Sequence, residues 1–224
     1  MFFFRGTRTP NFRNIKPIDY DAYWRQRGFE LRGKLMEREK IFFDWIRPGS
    51  AVVDIGCGNS RLLYELKSKK KCRVLGLDAS RFAVAGQNQA GVRARVEDFE
   101  SKNLALQEKF DYAIMSELLE HLREPENLIS RILSHTQYCL ISVPNSAFYR
   151  YRLGLMFKGR FFTQWAQHPA EHLRYWSHRD FLDWLDGVGL TVLEFRASNG
   201  FWWKNILPNL FGHQICYFTQ KSAF

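Results

Sequence analysis

The feature that most constrains the fold of this chain is an alternation of short apolar runs with helix-favouring segments. Strand-like apolar runs lie at 51–55, 73–77, 92–96, 110–115 and 137–143. Helix-favouring segments lie between them, near 60–68, 80–89 and 125–135. Because two parallel strands need a connection of helix length, the alternation predicts an α/β domain whose parallel sheet carries helices on both faces.

The segments before and after this alternation extend the predicted domain. Residues 1–20 form a basic, irregular arm in this interpretation, and a ragged apolar stripe predicts one helix over 21–46. A capping box opens a second predicted helix, over 177–186. Two final apolar runs, at 190–196 and 214–219, predict a hairpin at the edge of the sheet.

Length and composition suit one globular domain, since the chain has 224 residues of which 46% are hydrophobic. The 33 basic and 23 acidic residues leave a net charge of +10, which favours an anionic partner such as nucleic acid, a phosphorylated substrate or a membrane surface, or else serves solubility. The four cysteines lack CxxC spacing, so reduced thiols and a cytoplasmic location are expected. No apolar run approaches the roughly 20 residues of a transmembrane segment.

A turn containing two glycines follows the first predicted strand. Gly56 and Gly58 let the backbone turn tightly and approach a ligand without an intervening Cβ. Asp54 precedes this turn, where a carboxylate repels a diphosphate but accepts a hydrogen bond from an ammonium group. The third glycine of a dinucleotide-binding loop is missing, so a zwitterionic amino-acid ligand is favoured.

Polar residues also end the next three predicted strands. Asp78 ends the second strand, where a carboxylate can hold a ribose diol through paired hydrogen bonds. Asp98 and Phe99 follow the third strand, where an acid can accept from an adenine amino group beside an aromatic ring. The fourth strand leads into residues 116–121. Such features at the ends of four successive strands, in this order, seldom arise by chance and indicate one ligand site.

These motifs resemble those of class I S-adenosylmethionine (SAM)-dependent methyltransferases over roughly residues 50–145. The resemblance implies a Rossmann-like sheet of seven strands that is mostly parallel, with the last strand antiparallel. It implies SAM as cofactor, methyl transfer by in-line displacement, and an enzyme of the transferase class. The cofactor-binding residues that it implies are Asp54, Gly56, Gly58, Asp78, Ala79, Asp98, Phe99 and Ser116.

The sequence after the fourth strand resembles that of the methionine-biosynthesis protein MetW and its relatives. The matching motifs are Ser142-Val143-Pro144-Asn145, Arg150, Arg152-Leu153 and Gly159-Arg160. The stretch 171–177 is similar to one found in many bacterial small-molecule and glycan-associated methyltransferases. MetW does not usually carry a pair like Glu120-His121, so the chain is interpreted as a MetW-like relative and is not assigned to methionine biosynthesis.

The resemblance makes residues 1–224 one domain with four parts. These are an N-terminal arm and helix (1–47), a SAM-binding core (48–145), a substrate-side insertion (146–176) and a C-terminal helix and hairpin (177–224). The insertion interleaves basic and aromatic residues, which suit a phosphorylated sugar, stacked bases or an anionic membrane, or else form a core with solvated arginines. The predicted substrate contacts are Arg150, Arg152, His172 and Tyr175.

Glu117 and His121 are the predicted catalytic residues, with His121 as general base, although a histidine here would equally cap or pack a short helix. Helical spacing would place Glu117, Glu120 and His121 on one face, where with His172 they suit a divalent cation. The pattern is similar to the metal-binding pattern of ubiquinone-type O-methyltransferases and of small-RNA 2′-O-methyltransferases. A Glu-His pair at this point also occurs in many metal-free relatives.

Three functions follow from these observations. The leading prediction is O-methylation of a small metabolite or glycan-linked acceptor. The charge and the Glu-x-x-Glu-His pattern leave an RNA methyltransferase as an alternative. The third is a SAM-binding partner protein, because MetW-like proteins work alongside an acyltransferase. Arms such as the N-terminal one, here with Tyr20, Tyr23 and Trp24, often close the SAM pocket in related enzymes.

Overall fold

The computed structural model describes residues 18–100, 106–161 and 171–222. Its strands are β1 (Ala51–Ile55), β2 (Arg73–Asp78), β3 (Ala94–Val96), β4 (Phe110–Ser116), β5 (Thr136–Pro144), β6 (Leu190–Gly200) and β7 (Gly212–Lys221). Its helices are α1 (Tyr20–Arg27), α2 (Glu37–Trp45), α3 (Leu62–Lys70), α4 (Arg81–Gln89), α5 (Pro125–Ile132), α6 (Tyr149–Lys158), α7 (His178–Gly187) and α8 (Pro208–Phe211). None of these described helices has the length and apolar character that crossing a lipid bilayer requires.

The strands form one sheet in the order β3-β2-β1-β4-β5-β7-β6. The first five in this order pair in parallel, whereas β7 runs antiparallel to both of its neighbours. The predicted mostly parallel sheet with an antiparallel last strand is therefore confirmed. The chain order reverses between β1 and β4, and in open α/β sheets such a switch point leaves a crevice at the carboxyl ends of the strands.

The sheet buries an apolar layer on each face, because successive residues of a strand point to opposite sides. Val53 of β1 belongs to a cluster that includes Leu128 of α5 and Phe181 of α7. Val52 belongs to a second cluster, with Phe42 of α2 and other residues of α2 and α3. These two layers enclose β1 and β4 at the centre of the sheet, where the crevice opens.

The predicted single helix over 21–46 is wrong, because the chain forms two helices there. Gly28 ends α1: its φ of +70° leaves the helical region while its N–H donates to the Arg25 carbonyl. Phe29 then packs against Gly86 of α4, so closely that a Cβ on that glycine would lie 2.1 Å from the ring. Tertiary packing of this connection outweighs the helix propensity of the local sequence.

The predicted capping box after β5 and α6 is confirmed. Ser177 Oγ accepts from the Asp180 N–H, and the Asp180 carboxylate accepts from the Ser177 N–H, at the start of α7. The first part of the predicted insertion forms α6. Residues 162–170 of that insertion, and residues 1–17 of the N-terminal arm, lie outside the described residues.

Candidate functional site

A cavity of about 260 Å³ opens at the carboxyl ends of β1, β2 and β4. Its wall contains seven of the eight predicted cofactor residues, namely Asp54, Gly56, Gly58, Asp78, Ala79, Phe99 and Ser116. The eighth, Asp98, is exposed, does not line the cavity and accepts a hydrogen bond from the Glu100 N–H. The strand ends thus bring together residues that lie up to 62 positions apart, Asp54 and Ser116.

The glycine turn after β1 forms the floor of this cavity. Gly56 and Gly58 both have left-handed backbone conformations, with φ of +76° and +47°. The N–H groups of Gly56 and Cys57 donate to the Leu77 carbonyl, which ties the turn to the end of β2. A Cβ on Gly58 would lie 2.6 Å from the Trp24 ring, so only glycine fits beneath α1 at this position.

Asp78 is held in place by backbone donors. Its Oδ2 accepts from the Gly58 N–H at 2.8 Å, and its Oδ1 accepts from the Ser80 N–H at 2.9 Å. Burial raises the pKa of Asp78, while these two hydrogen bonds act in the opposite direction. Each carboxylate oxygen keeps a second acceptor site, so the group is oriented and still able to receive two ribose hydroxyls.

Asp54 is as deeply buried as Asp78, but one of its carboxylate oxygens lacks a hydrogen-bond donor in the described part of the chain. It is 2% exposed, and its Oδ1 accepts no hydrogen bond from any of the described residues. Burial, followed by the charges of Glu39 and Asp78, raises the pKa of Asp54 to about 8. A carboxyl group in this position is a ready acceptor for a cationic ligand group such as an ammonium.

The N-terminal segment supplies cavity residues that sequence reasoning missed. Glu39 of α2 accepts from Ser60 Oγ at 2.8 Å and pairs with Arg32 at 3.0 Å. Arg38 donates from Nε to Ser116 Oγ at 3.0 Å. The sequence does carry a signal for Arg38 and Glu39, because these charged residues interrupt the apolar stripe on which Phe42 lies.

The aromatic residues of α1 also line the cavity. Tyr20, Tyr23 and Trp24 form part of its wall, and Trp24 lies over the glycine turn. Burial, assisted by the charges of Glu100 and Glu171, raises the pKa of Tyr20 to about 12, so its phenol is a neutral hydrogen-bond donor. The N-terminal part of the chain thus covers the cavity through α1, whereas residues 1–17 lie outside the described residues.

The predicted common helical face of Glu117, Glu120 and His121 is wrong. Only Leu119–His121 form a short 3-10 helix, and Glu117 precedes it with a left-handed φ of +54°. The Glu117 carboxylate instead accepts from Gln214 Nε2 at 2.6 Å. Glu117 still lines the cavity, but its side chain is not part of the cluster that Glu120 forms.

Glu120, His121 and His172 meet beside the cavity, and of the three only His121 forms part of its wall. Their ligand atoms all lie within 4.8 Å of one another. Burial lowers the pKa of His121, and burial together with the neighbouring His121 lowers the pKa of His172 to about 3. Both imidazoles are therefore neutral at physiological pH and keep a free ring nitrogen.

The other predicted substrate residues do not reach this cavity. Arg150 and Arg152 lie on α6, and Arg152 lines a separate surface cavity of about 350 Å³ beside His178 and Pro208. Tyr175 is 52% exposed, and its ring is tilted relative to that of His172, with the centroids 6.4 Å apart. Of the four predicted substrate residues, only His172 stands close to the cavity wall, through its contact with His121.

Several known proteins are similar to this chain. The bifunctional methionine biosynthesis protein MetXA/MetW of Rhodopirellula baltica is 24% identical over 131 residues, which make up 54% of this chain. The chain spans only 21% of the length of that curated relative. Among solved structures, a TehB-like SAM-dependent methyltransferase from Corynebacterium glutamicum is 19% identical with a TM-score of 0.59, over 91% of this chain and 96% of that one.

A second solved structure extends the likeness in fold. Magnesium protoporphyrin IX methyltransferase from Synechocystis, with bound S-adenosylhomocysteine, is 18% identical with a TM-score of 0.57, over 83% of this chain and 80% of that one. At such identities the likeness concerns the fold, that of class I SAM-dependent methyltransferases. Residues 37–219 match the model of a family described as methionine biosynthesis protein MetW. Since this match covers most of the chain, the protein belongs to the MetW family.

Proposed function

We propose that the protein binds SAM in the cavity at the ends of β1, β2 and β4 and methylates an oxygen of a small or glycan-linked acceptor. The observation that carries this proposal is the buried, unpartnered Asp54 Oδ1 beside a glycine turn whose left-handed backbone and close contacts disfavour a Cβ. The amino-acid end of SAM fits these two features. Its ammonium group would donate to the Asp54 carboxylate, and its backbone-like atoms would lie against the glycine turn.

The other cavity residues would divide the remaining parts of the cofactor. Asp78, oriented by two backbone N–H groups, would accept from the ribose hydroxyls. Phe99, 7% exposed, would lie beside the adenine ring. Ser116, which accepts from Arg38, would stand near the reacting end. SAM supplies a methyl carbon made electrophilic by its sulfonium, which the acceptor oxygen attacks in line while the C–S bond breaks.

The acceptor would enter at the end of the cavity where His121 lies. The His121 Nδ1–H donates to the Glu171 carbonyl, because a carbonyl can only accept, and this leaves Nε2 as a basic atom. Burial of Leu118 and Leu122 beside it limits the access of water. His121 and Glu117 stay the predicted catalytic residues of this proposal.

Calorimetric titration of SAM into the wild type and Asp78→Ala tests the proposal. We expect micromolar binding by the wild type and at least tenfold weaker binding by the variant, equivalent to about 1.4 kcal/mol. Asp44→Ala is the matched control, because Asp44 is an exposed aspartate of α2 outside the cavity wall. Failure of the wild type to bind SAM or S-adenosylhomocysteine would exclude the proposed cofactor.

A second candidate function is that of a SAM-binding partner protein for another enzyme. The relative from Rhodopirellula baltica, whose name joins MetXA with MetW in one bifunctional protein, favours this candidate. Transfer of a labelled methyl group from SAM to a pool of metabolites separates the two candidates. Labelled product supports the methyltransferase, whereas intact SAM binding without any transfer supports the partner protein.

A further inference from the structure

We propose that Glu120, His121 and His172 form a site for one divalent transition-metal ion, of the Zn²⁺ or Co²⁺ type, at the acceptor end of the cavity. The three residues come from the 3-10 helix after β4 and from the segment before α7. The proposed binding of the ion depends on these residues alone. The role of the ion in catalysis rests on the proposed methyl transfer.

Glu120 is the first reason to place a cation here. The residue is 1% exposed, and neither carboxylate oxygen accepts a hydrogen bond from the residues that the structure describes. The Glu117 carboxylate adds repulsion from nearby. An isolated buried carboxylate is strongly unfavourable, and such groups in proteins are paired with a cation or coordinate a metal.

His121 is oriented as a ligand. Its Nδ1–H donates to the Glu171 carbonyl, so the Nε2 lone pair is free and lies 4.0 Å from Glu120 Oε1. That distance is too long for a hydrogen bond but leaves room for an ion between two acceptors. A backbone carbonyl on the other ring nitrogen is the usual support of a metal-binding imidazole, because it sets the tautomer and the ring orientation.

His172 completes the set from a different segment. Its ring is nearly perpendicular to that of His121, with centroids 4.8 Å apart, and its Nδ1 is buried with no partner among the described residues. The N–H groups of Leu173 and Arg174 donate to the Glu120 carbonyl at 2.7 and 3.1 Å. These two bonds hold the segment that carries His172 against Glu120.

The spacing and the donor types indicate which cations fit. The three ligand atoms lie within 4.8 Å of one another, and small side-chain rotations would bring them to the roughly 3.4 Å that ligand atoms about 2.1 Å from a tetrahedral ion require. Two imidazoles and one carboxylate suit Zn²⁺, Co²⁺ or Fe²⁺, whereas Mg²⁺ and Ca²⁺ prefer oxygen ligands. Three protein ligands leave one coordination position open.

The open position would give the ion a role towards the acceptor. Of the three ligands only His121 lines the cavity, so an acceptor that enters beside His121 would be the group that takes the open position. A hydroxyl oxygen bound there would become more acidic and its proton would pass to solvent. The oxygen would then bond to the methyl carbon of SAM while the C–S bond breaks and S-adenosylhomocysteine leaves. In this arrangement His121 is a metal ligand and the ion replaces it as the group that promotes deprotonation. The acceptor class is then a hydroxyl compound.

Titration of the metal-stripped full chain with Zn²⁺, without SAM, tests the site. We expect one equivalent to bind with micromolar affinity or better, and Glu120→Gln and His172→Asn each to weaken binding by at least roughly tenfold. Glu124→Gln is the matched control, because Glu124 is an exposed glutamate four residues away and outside the cluster. Co²⁺ should give visible absorption bands in the wild type and the control only.

The outcomes separate this site from the proposed cofactor site. Failure of the wild type to bind Zn²⁺ and to develop Co²⁺ bands, or equal affinities in both ligand variants and the control, would overturn the metal site and leave SAM binding untouched. Loss of SAM binding with intact Zn²⁺ binding would overturn the proposed function alone. Because His172 is only partly buried, His172→Asn remains informative if Glu120→Gln does not fold.

Discussion

Asp54 and Asp78 are neighbouring buried carboxylates whose surroundings give them different properties. Asp78 receives two backbone N–H groups, whereas Asp54 Oδ1 receives no donor from the described residues. Burial raises the pKa of both groups, and the nearby negative charge of Glu39 raises that of Asp54 further, to about 8. Asp54 is thus a position at which the ligand-free protein loses stability in order to keep an acceptor free.

Replacement of Asp54 by asparagine should stabilise the folded protein and weaken the proposed binding of SAM. Between roughly pH 4 and pH 8 the unfolded state has released the Asp54 proton and the folded state retains it, so the free energy of unfolding falls as pH rises. Asp54→Asn removes this loss. We expect the free energy of unfolding at pH 8 to rise by about 1–2 kcal/mol, with SAM affinity at least tenfold lower.

Urea unfolding of the wild type and Asp54→Asn at pH 5, 7 and 8 checks this expectation. The difference between the two proteins should grow with pH across this window, because the folded-state pKa lies near its upper end. An equal difference at all three values would show that the carboxyl group is ionised in the folded protein. Calorimetry with SAM provides the binding measurement on the same samples.

At the scale of elements, α1 is attached to the domain by a small number of polar contacts. Asp21 Oδ1 accepts from Ser80 Oγ at 2.7 Å and from the Phe82 N–H at 3.1 Å, both at the start of α4. These hydrogen bonds lower the pKa of Asp21, that from Ser80 contributing most. Trp24 and Phe29 add packing on Gly58 and Gly86. The attachment of α1 therefore combines two hydrogen bonds to Asp21 with aromatic packing.

Asp21→Ala should loosen α1 without unfolding the sheet. We expect the local stability of α1 to fall by about 0.5–2 kcal/mol, the usual effect of losing a capping-type acceptor, with faster amide hydrogen exchange over Tyr20–Arg27 only. Asp21→Asn keeps an oxygen acceptor and is the matched control. In the wild type the contribution of Asp21 is present above about pH 4 and is lost as pH falls through its lowered pKa.

Amide hydrogen exchange of the two variants, and of the wild type at several pH values, can contradict the assignment of α1 as a separate cover over the cavity. Exchange over α1 that is equally slow in the wild type and Asp21→Ala would show that aromatic packing alone holds the helix. Exchange that rises over β1 and β4 as well would show that α1 is part of the cooperative unit of the domain. Either outcome would change the assignment of α1 as a separate cover over the cavity.

At the scale of the whole molecule, the cavity joins parts of the chain that are distant in sequence. Arg38 of α2 contacts Ser116 of β4, and Gln214 of β7 contacts Glu117. The hydrogen bond from the Gly58 N–H to Asp78 joins the turn after β1 to the end of β2. A ligand in the cavity would contact α1, α2 and the central strands together, so its binding should stabilise the folded domain as a unit.

SAM should therefore raise the melting temperature of the whole domain. A ligand at about 100 times its Kd adds roughly 2.7 kcal/mol, which for a domain of this size corresponds to a shift of about 5–11 °C. Thermal unfolding with increasing SAM measures the shift, and Asp78→Ala should need a higher SAM concentration for the same shift. An equal shift in the wild type and Asp78→Ala at the same SAM concentration would place SAM outside the cavity.

Much of the fold was predictable because its signals are local. Each central strand is an apolar run, each crossover is a helix-favouring segment, and the turn at Gly56 and Gly58 follows β1 directly. Acidic residues at the ends of strands point to one edge of a parallel sheet, so Asp54 and Asp78 could be assigned to one site. The capping box of Ser177 is equally local, since both of its bonds join residues three apart.

The sequence by itself therefore determined the class of the fold, the order of most elements and the acidic and glycine floor of the cavity. Only the tertiary structure decided the break between α1 and α2, the place of Arg38 beside Ser116, and the left-handed turn that removes Glu117 from the Glu120 cluster. The physical reason is range: periodicity and capping act within a few residues, whereas these features depend on contacts between segments tens of residues apart. The meeting of Glu120 and His121 with His172, 51 residues further along the chain, has the same origin.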